Sequence, residues 1–356
     1  MPTDSGSTAA RLDGVRRTYP GGVTALDGVS LDIARGSVTV IAGPNGSGKT
    51  TLLQILAGAL EPSEGRVERL GDSSEPPSAD VRARLGHVPQ DLALDPEMTG
   101  REILDLFSAL HGLATADAQR RATALASTFG LDEHIDRRVS QYSGGLRRRL
   151  HLATGAIHEP ELLLLDEPTA GLDPDGRTAI WNAMTSMRDE GRTVVVVTHD
   201  LDDAERHADR VVLMHGGTIG ASGTPAEVVE AHGRPRLYFH LERAPRTEYG
   251  LRTEISRLDT VREAAVRGAV AIVIPAGDPQ EARDAVIETI RRSGGALAEL
   301  RYEAASLTIA YRTLTGQSPA PPTERGSGKG GGGGGGKGKG GGGGAGGGSP
   351  ERGGRS

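Results

Sequence analysis

Cysteine is absent from all 356 residues, so neither a disulfide nor thiolate chemistry nor a cysteine-bound metal can contribute to what the chain does. Aromatic residues are scarce at 3%, which leaves Leu, Val, Ile and Ala to build the core. No apolar run approaches the roughly 20 residues that a bilayer-crossing helix needs. The longest runs, at 161–165 and 194–197, have the length of buried strands. The start, Met1, Pro2, Thr3, Asp4, is polar and acidic and lacks the basic-then-apolar order of a secretory leader, so the chain is expected on the cytoplasmic side. Lysine is also nearly missing. Outside a glycine-rich tail Lys49 is the only one, and every other long cationic side chain there is arginine. A lysine kept at one position points to a task for a compact charge that the planar fork of arginine does not suit.

What remains fits a globular protein: 36% hydrophobic and 25% charged residues, in a length that holds one large domain and a smaller one. The net charge of -6 is unevenly spread. Lys329, Lys337, Lys339, Arg352 and Arg355 against Glu351 put the segment 326–356 at +4, which leaves -10 for the rest. An acidic body argues against a broad nucleic-acid-binding face, and no nucleic-acid partner is expected.

Along the chain, residues 1–10 read as a disordered leader. Residues 11–232 alternate short apolar runs with helical stretches, the pattern of an α/β fold with a largely parallel sheet. Runs at 37–42, 161–165 and 193–198 are almost continuously apolar, as strands covered on both faces are. The stretch 98–157 is helical in pattern and is expected to form an inserted helical subdomain. Residues 236–316 read as a small C-terminal α/β domain, with strands near 237–241, 269–274 and 297–302 and an amphipathic helix over 278–293. Residues 317–356, rich in proline and then glycine, cannot bury enough surface to offset ordering entropy and are expected to be disordered.

Gly43, Pro44, Asn45, Gly46, Ser47, Gly48, Lys49, Thr50 and Thr51 fit the pattern G-x-x-x-x-G-K-[ST], placed between a strand and an apolar helix as the motif requires. The glycines let backbone N–H groups turn toward phosphate oxygens, helped by the positive end of the helix. Lys49 then reaches the β and γ oxygens, and the Thr50 hydroxyl is suited to Mg²⁺. Downstream, the run at 162–165 ends in Asp166 and Glu167. Side chains alternate along a strand, so the two carboxylates are expected to differ in task. Asp166 suits the Mg²⁺ shell, and Glu167 suits polarising an attacking water as general base. Two solvated acids at a strand end would be the better explanation of the pair if it stood alone.

With these motifs in order, residues 11–230 resemble the ABC ATPase family. The resemblance implies a P-loop NTPase of ABC type with antiparallel β and helical subdomains, ATP and Mg²⁺ as ligands, and ATPase activity with Glu167, His199 and Lys49 as catalytic residues. Tyr142 followed by Ser143, Gly144, Gly145 and Leu146 resembles the family's signature loop, which closes over a nucleotide held by a partner chain. The family's usual fifth residue is glutamine, and Leu146 departs from it; such apolar replacements followed by arginines resemble the drug- and antibiotic-exporter branch. Further matches are Gln90 as a contact to Mg²⁺ and water, Asp173 as an interface residue, His199 as the γ-phosphate switch, and Tyr19 as the aromatic that stacks on adenine. Base stacking of that kind is worth about 1–3 kcal/mol.

Several members of the family are not transporters. Tandem cassettes and cassettes split by coiled coils are both excluded, since each motif occurs once and no extended heptads separate Gly48 from Tyr142. A single cassette implies a transporter subunit on the cytoplasmic face of the membrane, paired with a separate membrane-spanning permease. It also implies a homodimer, or a dimer with a related ATPase subunit. The segment 94–107 resembles the site where a permease helix docks in two-component exporters, and 303–316 resembles the closing helix of their C-terminal domain. These matches favour export of drugs, lipids or similar hydrophobic cargo. The alternative is a soluble ATPase of the same type acting in assembly or regulation.

Overall fold

The computed structural model describes residues 7–91, 94–243 and 248–316. Along the chain the elements are β1 (Thr8–Thr18), β2 (Thr24–Ala34), β3 (Val38–Ala42), α1 (Lys49–Leu56), β4 (Glu64–Arg69), α2 (Ala79–Ala83) and β5 (Leu85–Val88). Then come α3 (Gly100–Leu110), α4 (Thr115–Thr128), α5 (Gly144–Ala156), β6 (Leu162–Asp166), α6 (Pro174–Asp189), β7 (Thr193–Thr198), α7 (Leu201–His207), β8 (Arg210–His215), β9 (Thr218–Gly223) and α8 (Pro225–His232). The last part holds β10 (Arg236–Arg243), α9 (Glu248–Ile255), β11 (Val261–Arg267), β12 (Val270–Pro275), α10 (Pro279–Arg292), β13 (Ala296–Glu303) and α11 (Leu307–Leu314).

The three apolar runs become β3, β6 and β7 at the centre of a six-stranded sheet ordered β5-β6-β7-β3-β8-β9. All neighbours pair in parallel except β9, which returns antiparallel on β8. Every residue of β3, β6 and β7 is buried, because the sheet is covered on both sides. Alternation along the strands divides those residues between two cores. Val40, Leu163, Leu165, Val194 and Val196 join the helices α3–α6 on one side. Ile41, Leu162, Leu164, Val195 and Val197 face α1 and the antiparallel sheet β2-β1-β4 on the other. The helical insertion forms as expected, with α3 opened by a capping box between Thr99 and Glu102.

β1 begins at Thr8, inside the stretch 1–10 read as a leader, and corrects that boundary. Ala9 and Ala10 are buried, and Ala10 pairs with Ile33 on one side and Arg69 on the other. Two alanines carry too little apolar signal to mark a strand. The remainder of the expected leader, 1–6, and the expected tail, 317–356, lie outside the described residues.

The C-terminal sheet is antiparallel and ordered β13-β10-β12-β11. With α9 and α10 it follows the βαββαβ order of a split βαβ unit. Its own core runs from Leu237 to Ile290 and includes Phe239, Leu251, Ile255 and Val286. β11 and α9 were not legible in the sequence. The closing helix departs from the expected domain 236–316. Leu307, Ala310 and Tyr311 belong to the core of the ATPase body, not to that of the small sheet. α11 packs beside α7 and α8; Leu307 N donates to Glu205 Oε2 at 2.7 Å, and the Tyr311 hydroxyl meets His215 Nδ1 at 2.8 Å. The segment's apolar spacing predicts a helix but not which core receives it.

Leu307 is fully buried. Leu307→Ala should therefore destabilise the ATPase body by about 2–5 kcal/mol in urea unfolding. A loss too small to resolve would show that α11 is not part of that core.

Candidate functional site

β3 ends at Ala42 and α1 begins at Lys49, so residues 43–48 must turn the chain from sheet to helix in six steps. Two glycines are dictated by close approach. A Cβ on Gly43 would lie 2.3 Å from the Met214 carbonyl oxygen. Gly48 has φ +99°, and a Cβ there would lie 2.4 Å from the Ala25 carbonyl oxygen and 2.9 Å from Leu26 Cδ2. Gly48 caps α1 without any side-chain hydrogen bond, and the first turn contains no acidic residue, so the amides of that turn remain free for an anion. Lys49 is buried, and its Nζ donates to the carbonyls of Gly43 at 2.9 Å and Pro44 at 3.0 Å. Burial lowers its pKa, with Glu167 and Asp166 pulling the other way.

The neighbouring strand ends supply the acids. Asp166 closes β6 and is only 3% exposed. Burial pushes its carboxyl up, and the Thr50 hydroxyl and the Lys49 charge pull it down. Asp166 Oδ1 and Ser47 Oγ are buried with no hydrogen-bond partner among the described residues. The orphaned Asp166 oxygen beside the Thr50 hydroxyl is a hard oxygen donor pair of the kind a magnesium ion takes. Glu167 follows with φ +49°, a left-handed backbone that costs a non-glycine residue about 1–3 kcal/mol and concentrates at functional sites. His199 Nδ1 lies 3.0 Å from both Glu167 oxygens, and Thr198 Oγ1 donates to Oε2 at 3.4 Å.

These residues converge on one cleft of about 520 Å³. It brings together the sequence-predicted Tyr19, Asn45, Gly46, Gly48, Lys49, Thr50, Thr51, Gln90, Glu167 and His199. Asp166 lies buried beneath it, while Gly43, Pro44 and Ser47 form the rest of the turn. Tyr19 stands at one end, its hydroxyl 3.2 Å from Thr51 Oγ1 and its ring under the Arg17 guanidinium at 5.1 Å. Val23, Thr24, Ala25 and Ala170 also line the cleft and carried no sequence signal.

Ser143, Gly144, Gly145, Leu146 and Asp173 do not line the cleft of their own chain. Ser143 caps α5 by accepting from Leu146 N at 3.2 Å, and Asp173 caps α6 by accepting from Gly176 N at 3.1 Å. Ser143, Gly144 and Asp173 are exposed. The sequence reading passed over Arg148 as one member of an arginine run. It is 5% exposed and reaches from α5 to the carbonyls of Asp166, Glu167, Pro168 and Gln90. The available signal was the run itself: consecutive helical residues point about 100° apart, so on a helix packed on more than one side a run of three sends one of them inward.

A cleft at the carboxyl ends of parallel strands, with a phosphate-type turn, a buried lysine and two acids, defines a P-loop nucleotide hydrolase. The family model described as ABC transporter matches residues 26–170. The daunorubicin resistance ATP-binding protein DrrA3 of Streptomyces coeruleorubidus is 38% identical over 309 residues, covering 87% of this chain and 96% of that protein. The Nod factor export ATP-binding protein I of Paraburkholderia xenovorans is 37% identical, covering 70% of this chain and 83% of that protein. Among solved structures, cbiO1 from Clostridium perfringens, part of an ABC transporter complex, aligns with a TM-score of 0.58 at 31% identity, over 63% of this chain and 91% of that one. The dimeric bacterial ABC transporter cassette MJ0796 aligns with a TM-score of 0.56 at 28% identity, over 60% and 98%. The chain belongs to the ATP-binding subunits of ABC transporters, in the drug-exporter branch. It is an ATPase that works with a membrane partner, and the soluble assembly role finds no counterpart in these relatives. Among the described residues no helix is long and apolar enough to cross a membrane.

Two histidines, the buried His151 in α5 and the half-buried His158 just after it, set a pH dependence. His151, one turn beyond Arg148, is pushed down to about 4 by burial and then by the Arg148 charge. His158, stacked on His111, is also pushed down to about 4, mainly by burial. Both values lie below the ordinary 6.5, so the unfolded chain takes up these protons first. Their contribution to stability is complete above pH 6.5 and is lost as pH falls toward 4. His158→Gln should lose less stability than the parent between pH 7 and pH 5 in urea titrations. Equal losses in both proteins would contradict the assignment.

Proposed function

We propose that two copies of this chain, or one copy and a related subunit, close face to face on two ATP molecules and so drive a separate permease at the cytoplasmic face of the membrane. The convergence of Lys49, Thr50, Glu167 and His199 on one cleft, with Asp166 buried against Thr50 and Lys49, supports this reading most directly. In it the α1 amides and the Lys49 ammonium bind the β and γ phosphates, and Tyr19 stacks on the base. Thr50, Asp166 and Gln90 would hold Mg²⁺, which would supply positive charge to neutralise charge developing on the phosphates. Glu167 takes the proton of the attacking water, and His199 fixes the Glu167 carboxylate by its 3.0 Å contact while facing the γ-phosphate.

The seal comes from the facing chain. Ser143, Gly144, Gly145 and Leu146 begin α5, an exposed helix N-terminus suited to the γ-phosphate, with Asp173 at the rim. Solved cassettes of this type form dimers, which supports the arrangement. The functional ATPase unit comprises residues 8–232 together with α11, with the β10–β13 domain as an appendage. The permease docks near Gln90 and α3, where Leu106 and Leu110 are exposed. Relatives named for drug resistance and for Nod factor export support export, with hydrophobic cargo as the working class.

Glu167→Gln should keep ATP affinity, lower turnover about 100-fold or more and accumulate an ATP-bound dimer in sedimentation velocity. Brisk hydrolysis by this variant removes Glu167 as the base. Tyr19→Ala should weaken ATP about 10-fold in equilibrium binding without altering phosphate discrimination. Unchanged affinity would place the base elsewhere.

A further inference from the structure

The three arginines that follow the α5 cap do three different things. Arg147 is exposed. Arg149 reaches the carbonyls of Phe129 and Gly130, both at 3.3 Å, and so anchors α5 to the loop after α4. Arg148 turns inward. Its Nη2 donates to the carbonyls of Asp166 at 2.6 Å and Glu167 at 2.7 Å, its Nε to Pro168 at 3.2 Å, and its Nη1 to Gln90 at 2.8 Å. Desolvation makes a buried guanidinium costly, and an apolar side chain of similar volume packs such a space at least as well. Pure packing therefore does not account for an arginine here. Its planar fork does something lysine cannot: it fixes several acceptors at once in one plane.

The acceptors identify the task. Three are consecutive carbonyls of the strained turn in which Glu167 adopts φ +49°. The fourth belongs to Gln90, which lines the same cleft from a different segment. We infer that Arg148 is a positioning residue: it holds the turn that aims the Glu167 carboxylate and locks that turn to the Gln90 loop. Because it rides on α5 one turn after Ser143, it also joins the helix end that faces the partner's nucleotide to the base that acts on its own. A shift of α5 or of the Gln90 loop thereby moves the Glu167 turn. Arg148 makes no hydrogen bond to Lys49 or to the phosphate turn at 43–48, and it meets Asp166 and Gln90 only at their backbone carbonyls, so its main effect falls on turnover rather than on nucleotide affinity.

This inference rests on Glu167 as general base, and the experiment separates the two. Full-length protein carrying Arg148→Met, which keeps most of the stem and loses the donors, is compared with Arg148→Lys, which keeps one charge. Steady-state ATPase assays give kcat and KM, and ATP affinity is measured in the Glu167→Gln background. Arg148→Met should lower kcat about 100-fold, the scale of a small misplacement of a reacting group, with KM and ATP affinity within about threefold of the parent. Arg148→Lys should fall between. A kcat within about twofold of the parent in both variants overturns the inference, as does a loss of affinity that runs in step with kcat. If Arg148→Met does not fold, Arg148→Lys carries the same test: lower kcat at retained KM supports the role, and any other pattern overturns it. Should Glu167→Gln itself hydrolyse ATP normally, the reading of the base fails first; should it be inactive while the Arg148 variants turn over normally, only this inference fails.

Discussion

The short turn from β3 into α1 is the constraint on which the rest of the structure depends. Six residues must reverse from sheet to helix while leaving the helix amides uncapped, and the surroundings allow almost no room for it. The Met214 carbonyl presses on Gly43, and the Ala25 carbonyl and Leu26 press on Gly48. β8 and β2 therefore shape the turn as much as its own glycines do. Gly217 N, just after β8, donates to the Ser47 carbonyl at 3.1 Å and holds the turn from outside. An anion site made of backbone amides is only as good as the rigidity of its backbone, and here that rigidity comes from the two cores that clamp the central strands.

The same sheet solves a second problem, the placement of two adjacent carboxylates in different surroundings. Ordinary strand alternation would separate Asp166 and Glu167 onto opposite faces, where one of them would be lost in a core. The left-handed backbone at Glu167 ends the strand and swings its carboxylate to His199, while Asp166 stays beneath the phosphate turn. Such a conformation persists only when the neighbourhood holds it. The Glu167 amide donates to the Val197 carbonyl at 2.9 Å, and Arg148 grips the carbonyl side. The strained turn, the Glu167 carboxylate and His199 are thus one local unit at the ends of β6 and β7.

Much of this was legible in the sequence, for definite reasons. Short continuous β-branched and leucine runs bounded by polar or glycine-containing segments fit strands buried on both faces, so β3, β6 and β7 were readable with their order of motifs. The phosphate turn was readable because glycine and a solitary lysine have few other uses at that spacing. What was not legible depended on tertiary partners. Ala9 and Ala10 read as leader until Ile33 and Arg69 pair with Ala10. α11 has an apolar face that fits either core, and contact with α7 and α8 decides which. Arg148 looked like one cation among three, and its importance arises only from carbonyls contributed by segments distant in sequence.

The central claim is that the phosphates are held by the backbone amides of one turn and by the ammonium of Lys49. Calorimetric titration with ATP and with AMP in the presence of magnesium tests it most directly, on the parent chain and on Lys49→Ala. The account predicts that the parent binds ATP and discriminates strongly against AMP, and that Lys49→Ala loses about 10-fold or more in ATP affinity with little change toward AMP. A parent chain that fails to bind ATP, or that binds AMP equally well, would contradict it.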